Sequence, residues 1–361
     1  MTNLKLNIAI AAFLAVSCYG ASDKIFADAI TTKTYKSDII KQTSTSSINN
    51  NMQDNSKMVK PSLQQWQLMR EMNIHQDACS HLENRIVALT VPYYGMDSKE
   101  HSDGLIFVLD TLAPSVQNMF KELLVQKFMI GGIDPFKGVQ KIGGNFVPDS
   151  DYNYTGCYSC RVSASDKYKI SVHSLGAAID LNPLYNPFVN INLETKSIDG
   201  IVPVDGIKHL NRESIRPGKD SRYGIINQKV IDIFAYHGFV IWGGYWDYPL
   251  DYMHFQIPKN LAQLLVAMQP VDAAKMYGYH LKFSRAMGGY RDSLVKKDLS
   301  TCINCDIAIT LVDLLLDAEK NYAKKDMVVE ELIELYRGNR ESFWQMVEKM
   351  IKNYPVIEQK G

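Results

Sequence analysis

Short strands interleaved with helices, giving way to helices alone near the C-terminus, make up the fold that this sequence predicts. Three observations carry that prediction. Arg85 to Tyr94 and Gly104 to Leu109 are β-rich apolar runs. Pro114 opens a segment with Val116, Met119, Phe120, Leu123, Leu124 and Phe128 at helical spacing, a core-facing stripe. After residue 280 strand signals fade, and 306–322, 327–336 and 341–354 carry helical patterns.

The elements follow in chain order. Lys5, the apolar run Leu6 to Val16 and the small residues Ser17, Cys18, Gly20 and Ala21 read as an export signal over 1–21, too short to span a bilayer. A competing reading makes Ala15-Val16-Ser17-Cys18 a lipobox with Cys18 lipidated, the one case that would put the chain on a membrane. Residues 22–60 are rich in Ser, Thr, Asn and Lys and read as a flexible linker. The region 61–280 is expected to form the main domain and 281–361 a helical accessory region. Ser62 to Glu83 looks helical, and 183–223 reads as a long surface loop rich in Pro, Gly, Asn and charge. Asn227 to His237 resembles a helix. Phe239 to Trp242 and Tyr252 to Ile257 resemble strands joined by a turn at Gly243 and Gly244.

Composition excludes some partners. Lys plus Arg equal Asp plus Glu at 39 each, and no basic run is interleaved with aromatics. Nucleic acid is therefore not an expected partner. An oxidising compartment fits the cysteines beyond the signal, Cys79, Cys157, Cys160, Cys302 and Cys305. The two CxxC pairs lie too far apart for a zinc ribbon, so disulfides are expected, with pairing left open.

The chemistry concentrates in Ser171-Val-His173-Ser-Leu-Gly176-Ala-Ala-Ile-Asp180 and Asp251-Tyr-Met-His254. Two imidazoles and a carboxylate suffice for a zinc ion that keeps one open position. The step from His173 to Asp180 is odd, so a regular strand would put them on opposite faces. Gly176, Ala177 and Ala178 supply a break, with His173 in the turn and Asp180 on a short strand that ends at Asn182-Pro183. On the later strand, Tyr252, His254 and Gln256 share a polar face, and Met253, Phe255 and Ile257 the apolar one. Asp251 stands just before that strand, where a carboxylate reaches a water without ligating. His75, His81, His101, His209, His237 and His280 read as surface or satisfied core residues.

These motifs resemble the zinc peptidases that include bacterial D-alanyl-D-alanine carboxypeptidases and phage L-alanyl-D-glutamate endopeptidases. The pattern S-x-H-x-x-G-x-A-x-D, then D-x-x-H-F, is matched in order. Tyr154-Thr-Gly-Cys-Tyr-Ser-Cys-Arg161, Asn182-Pro-Leu-Tyr-Asn-Pro187 and Trp242-Gly-Gly-Tyr-Trp246 look similar too, so the likeness spans about residues 85–260. It implies an α+β fold, a small antiparallel sheet carrying the metal with helices packed on it. It implies one Zn²⁺ on His173, Asp180 and His254, Asp251 as general base, and Arg161 steadying a scissile carbonyl or a substrate carboxylate. Ser171 matches the motif serine and is expected to be a structural hydrogen-bonder. Cys157 and Cys160 before Arg161 depart from the family pattern, and a disulfide there would shape the cleft. Arg212, Arg216 and Arg222 are further candidates for a carboxylate partner. The implied function is an exported, periplasmic or cell-envelope peptidase that cuts peptidoglycan stem peptides as a carboxypeptidase or endopeptidase. The alternatives are a zinc-bearing cell-wall peptide-binding module with little turnover, and a cysteine-dominated redox or structural-zinc protein.

Overall fold

The computed structural model describes residues 57–149, 151–161, 171–192, 194–212, 224–246, 249–286 and 329–353. The expected signal, most of the linker, the 306–322 segment, Cys302, Cys305, Arg216 and Arg222 lie outside them. The fold is α+β.

A long antiparallel hairpin forms the first layer. β2 (Ile86–Gly95) pairs with β3 (Glu100–Leu109) from Ile86↔Leu109 to Tyr94↔Glu100, with a bulge between Val91 and Tyr93. β1 (Met58–Val59) and β4 (Met129–Ile130) add to β2, antiparallel and parallel. Ile86, Val87, Ala88 and Leu89 are all buried, as a strand covered on both faces requires. α2 (Ala113–Val125) lies on this layer with Pro114 in its first turn. Its stripe of Val116, Met119, Phe120, Leu123 and Leu124 is buried, as the spacing predicts; Phe128 packs just beyond its end.

The expected helix from Ser62 to Glu83 is two shorter pieces. α1 (Leu63–Glu71) starts at a capping box made by Ser62 and Gln65. It stops because Asn73 turns into the left-handed region at φ 56°. A 3₁₀ turn follows over Asp77–Leu82.

The loop expected at 183–223 also needs correction. It contains β8 (Phe188–Asn192) and β9 (Ser197–Val202), a hairpin, then a 3₁₀ turn over Val204–His209. Its polar, glycine-bearing composition hides the two strands, because much of the hairpin faces solvent. β11 (Leu250–Asp251) pairs with β8, so Asp251 stands opposite Phe188 in a different sheet from His254. The site sheet has the order β10 (Ile241–Trp242), β12 (His254–Gln256), β7 (Ala178–Asp180), all antiparallel. A further hairpin joins β5 (Val139–Ile142) to β6 (Asn145–Pro148).

Helices back the site sheet. α3 (Gln228–Tyr236), capped by Asn227, stacks Phe234 on Phe255 at 3.8 Å between ring centroids. That contact fixes Phe255 on the buried face of β12 and leaves the other face to His254 and Gln256. α4 (Lys259–Ala267) and α5 (Pro270–Ala286) come next, and α5 runs straight through residue 280. α6 (Val329–Gly338) and α7 (Arg340–Asn353) pack on them through Leu332, Tyr336, Phe343 and Val347. Asp272 of α5 anchors this pair by accepting from Tyr336 and Arg340.

Candidate metal centre

His173 and Asp180 are set by one turn. Ser171 caps it: its hydroxyl accepts from the main-chain N–H of His173 at 3.3 Å, the structural role expected of it. The 3₁₀ segment Val172–Leu175 ends at Gly176, φ 64°. A side chain there would meet the main-chain nitrogen of Leu109 at 2.6 Å, so glycine is needed for both backbone shape and space. β7 then presents Asp180 directly across from His254 on β12. Cross-strand partners point to the same face. The break at Gly176 thus brings an odd-numbered pair together, as expected.

The three candidate ligands converge. His173 Nε2 lies 3.1 Å from His254 Nδ1, His254 Nδ1 lies 3.1 Å from Asp180 Oδ1, and His173 Nε2 lies 3.2 Å from Asp180 Oδ1. A tetrahedral zinc with bonds of about 2.0–2.1 Å needs donors roughly 3.3 Å apart, so the triangle fits such an ion. Each imidazole is held from behind. His173 Nδ1 donates to the main-chain oxygen of Cys157 at 2.7 Å, and His254 Nε2 sits 2.8 Å from Gln256 Oε1.

Charge in this site is strongly coupled. Burial pushes the Asp180 carboxyl up, but His173 and His254 outweigh it and hold the group far below the usual carboxylate range. Burial pushes His254 down, and the Asp180 carboxylate reverses this, leaving it at about 9. The geometry holds one carboxylate between two imidazoles, a pairing that a divalent cation would replace.

Asp251 stands beside this triangle on β11. Its approach depends on Gly243, where an added Cβ would meet the Asp251 main-chain oxygen at 2.5 Å and its Cβ at 2.8 Å. Asp251 Oδ1 is buried and has no hydrogen-bond partner among the described residues. Burial raises the carboxyl to about 7, countered in part by His254. A desolvated, unpaired carboxylate oxygen beside a metal triangle is suited to accept a proton.

Arg161 is within electrostatic reach of Asp180 and Asp251; burial lowers the guanidinium's pKa and those carboxylates oppose it. Its main-chain N–H donates to Ser174 Oγ at 3.1 Å and its Nε to Ser159 Oγ at 2.9 Å. The disulfide beside it is Cys79–Cys160, not a bridge within Cys157-x-x-Cys160; Cys157 is a buried free thiol. Cys160 cannot serve Cys157 because the chain there is pinned to 74–79: Cys160 N–H donates to Ile74 O at 2.7 Å, and His75 Nδ1 meets the Tyr158 hydroxyl at 2.6 Å.

Arg212 has a structural post. It donates to Asn186 Oδ1 and Ile226 O, both at 3.0 Å, and lies over the Tyr252 ring at 4.4 Å. Asn182 and Asn186 knit the exit of β7: Asn182 is buried at φ 48° and bonds Gly131, Met129 and Gly224, and Asn186 bonds Leu181, Gly224 and Ile226. The repeated Asn-Pro at 182–183 and 186–187 was the only sequence signal for them. Gln256 is the other residue the motifs did not single out; its sole sequence signal is the face it shares with His254.

The Trp246 ring lies 5.5 Å from that of His254, tilted by 44°. Among the described residues His173, Asp180 and His254 are the one group of this kind able to hold a metal ion.

No curated protein and no solved structure matches the chain. One family model does, described as D-alanyl-D-alanine carboxypeptidase, over residues 164–257. That stretch is narrower than the expected likeness. It contains His173, Asp180, Asp251 and His254 and leaves out Arg161 and the helices from α4 onward. Over residues 164–257 the chain is similar to the D-alanyl-D-alanine carboxypeptidase family of peptidases.

Proposed function

We propose that the chain is an exported zinc metallopeptidase that hydrolyses a peptide bond in peptidoglycan stem peptides. The observation that carries this reading is the triangle of His173 Nε2, Asp180 Oδ1 and His254 Nδ1 with edges of 3.1–3.2 Å. His173, Asp180 and His254 hold the ion. Zinc there supplies a Lewis acid and lowers the pKa of a water toward about 7. Asp251 takes the water's proton at its unpartnered Oδ1 and returns it to the leaving amine nitrogen. Arg161 neutralises charge on the substrate, either the scissile carbonyl oxygen as it becomes an oxyanion or the terminal carboxylate of a D-Ala residue. Export is supported by the apolar N-terminal run and by a disulfide, which belongs to oxidising compartments.

A pure binding module has no use for a desolvated carboxylate next to the ligand triangle, and the Cys79–Cys160 bridge removes one cysteine of the CxxC pair from any metal or redox site. The test is digestion of purified peptidoglycan with mass spectrometry of the released fragments. Loss of a terminal D-Ala identifies a carboxypeptidase, and a cut within the stem or cross-bridge an endopeptidase. Hydrolysis should stop on chelation, return with zinc, and be lost in Asp251→Asn. Unchanged turnover by that variant would overturn the scheme.

A further inference from the structure

We propose that Gln256 is the positioning residue that fixes which nitrogen His254 offers to a metal. The inference rests on the zinc reading above and concerns a residue that takes no part in ligation. Gln256 follows His254 by two on β12, so the two side chains share a face. Its Oε1 is 2.8 Å from His254 Nε2, and both residues are buried, at 6% and 7% exposure. Its cross-strand neighbours are Ile241 on β10 and Ala178 on β7. The methyl of Ala178 is the smallest side chain that could flank the amide there.

An amide oxygen only accepts hydrogen bonds. With Gln256 Oε1 in that place, the proton of a neutral His254 sits on Nε2, and the lone pair sits on Nδ1. Nδ1 is the nitrogen that meets Asp180 Oδ1 at 3.1 Å and His173 Nε2 at 3.1 Å. His173 is arranged the opposite way, with Nδ1 committed to the Cys157 carbonyl and Nε2 facing the site. The two histidines therefore offer unlike nitrogens, and each is held by an oxygen behind it. One of those oxygens is main chain. The other belongs to Gln256 and can be removed by substitution. Outer partners of this kind set ring orientation and ligand basicity.

The test compares the full chain with Gln256→Leu and Gln256→Glu. Zinc affinity is read by competition with a chromophoric chelator, and the His254 protonation site by long-range ¹H–¹⁵N spectra of the zinc-loaded protein. Gln256→Leu should bind zinc about 10–100-fold more weakly. Gln256→Glu, which keeps an acceptor and cannot donate, should bind as tightly as the parent or tighter, with His254 protonated at Nε2. Gln256→Leu within twofold of the parent would overturn the proposal. So would a Gln256→Glu variant weakened tenfold or more, and this second comparison decides the matter if Gln256→Leu does not fold. A parent chain that takes up no zinc would instead refute the metal reading itself.

Discussion

Asp180 and His254 face each other as direct cross-strand partners of β7 and β12, with Asp180 Oδ1 and His254 Nδ1 3.1 Å apart. Two short strands from distant parts of the chain thus create the acidic half and one basic arm of the site in a single pairing step. Replacing Asp180 by Asn keeps the shape and removes the charge. Zinc affinity should fall by at least tenfold, and His254, which owes its raised pKa to that carboxylate, should lose its proton at lower pH. Chelator competition and an NMR titration of His254 in the metal-free protein read the two effects separately. The sign is fixed: a group raised by a partner falls when the partner's charge goes.

Gly176→Ala should harm both stability and site. The residue is held at φ 64°, and its new methyl would meet the Leu109 main-chain nitrogen at 2.6 Å. The backbone strain alone is worth about 1–2 kcal/mol, and relief of the clash would move the turn that carries His173. A lower unfolding midpoint together with weaker zinc binding is expected. An unchanged midpoint would show that the turn tolerates a side chain.

His280 gives a pH-dependent stability far from the site. It is buried on α5, its Nε2–H donates to Gly238 O at 2.9 Å, and burial pushes its pKa down to about 4. The folded chain keeps it neutral while the unfolded chain protonates it near pH 6.5. Between pH 6.5 and 4 the unfolded state binds the extra proton, so its contribution to stability is present above pH 6.5 and drains away as pH falls through that window. The full effect is on the order of 3 kcal/mol. Chemical denaturation of the parent and of His280→Phe at pH 7 and pH 4.5 should show a smaller acid loss in the variant. Equal losses would mean that His280 is not the group responsible.

The site was largely legible in the sequence, and much of its support was not. His173, Asp180 and His254 could be read because a strand's two-residue period and one glycine break decide which side chains share a face. The hairpin of β8 and β9 was hidden because it carries many polar and small residues, as in Asn190, Asn192 and Gly200, so composition suggested a loop. That hairpin also puts Asp251 in its own sheet, a pairing between residues 188 and 251 that no local signal encodes. Helix α5 carries Gly278 and a mixed face, which weakens its periodicity. The partner of Cys160 was hidden for a like reason: Cys79 lies 81 residues away, and only tertiary structure selects it over Cys157.

The Cys79–Cys160 bridge should act on substrate handling more than on metal retention. It closes a long loop, and by chain entropy its removal costs about 4 kcal/mol if the native geometry survives reduction. Its position matters as much as its energy. Cys160 precedes Arg161, whose Nε is held by Ser159 Oγ and whose main-chain N–H is held by Ser174. The triangle of His173, Asp180 and His254 sits on β7, β12 and the 172–175 turn, and the neighbouring chain reaches it through the Cys157 carbonyl, the Ser159 N–H on the His173 oxygen and the paired main chains of Gly156 and Asp180, none of which involves Cys79 or Cys160. A chain with Cys79→Ser and Cys160→Ser should therefore unfold at lower denaturant and show a KM raised about tenfold, while zinc stoichiometry stays at that of the parent. The KM estimate follows from misplacing a charge-assisted contact worth roughly 1.5–3 kcal/mol. Loss of zinc with KM unchanged would place the bridge in the service of His173 instead of Arg161.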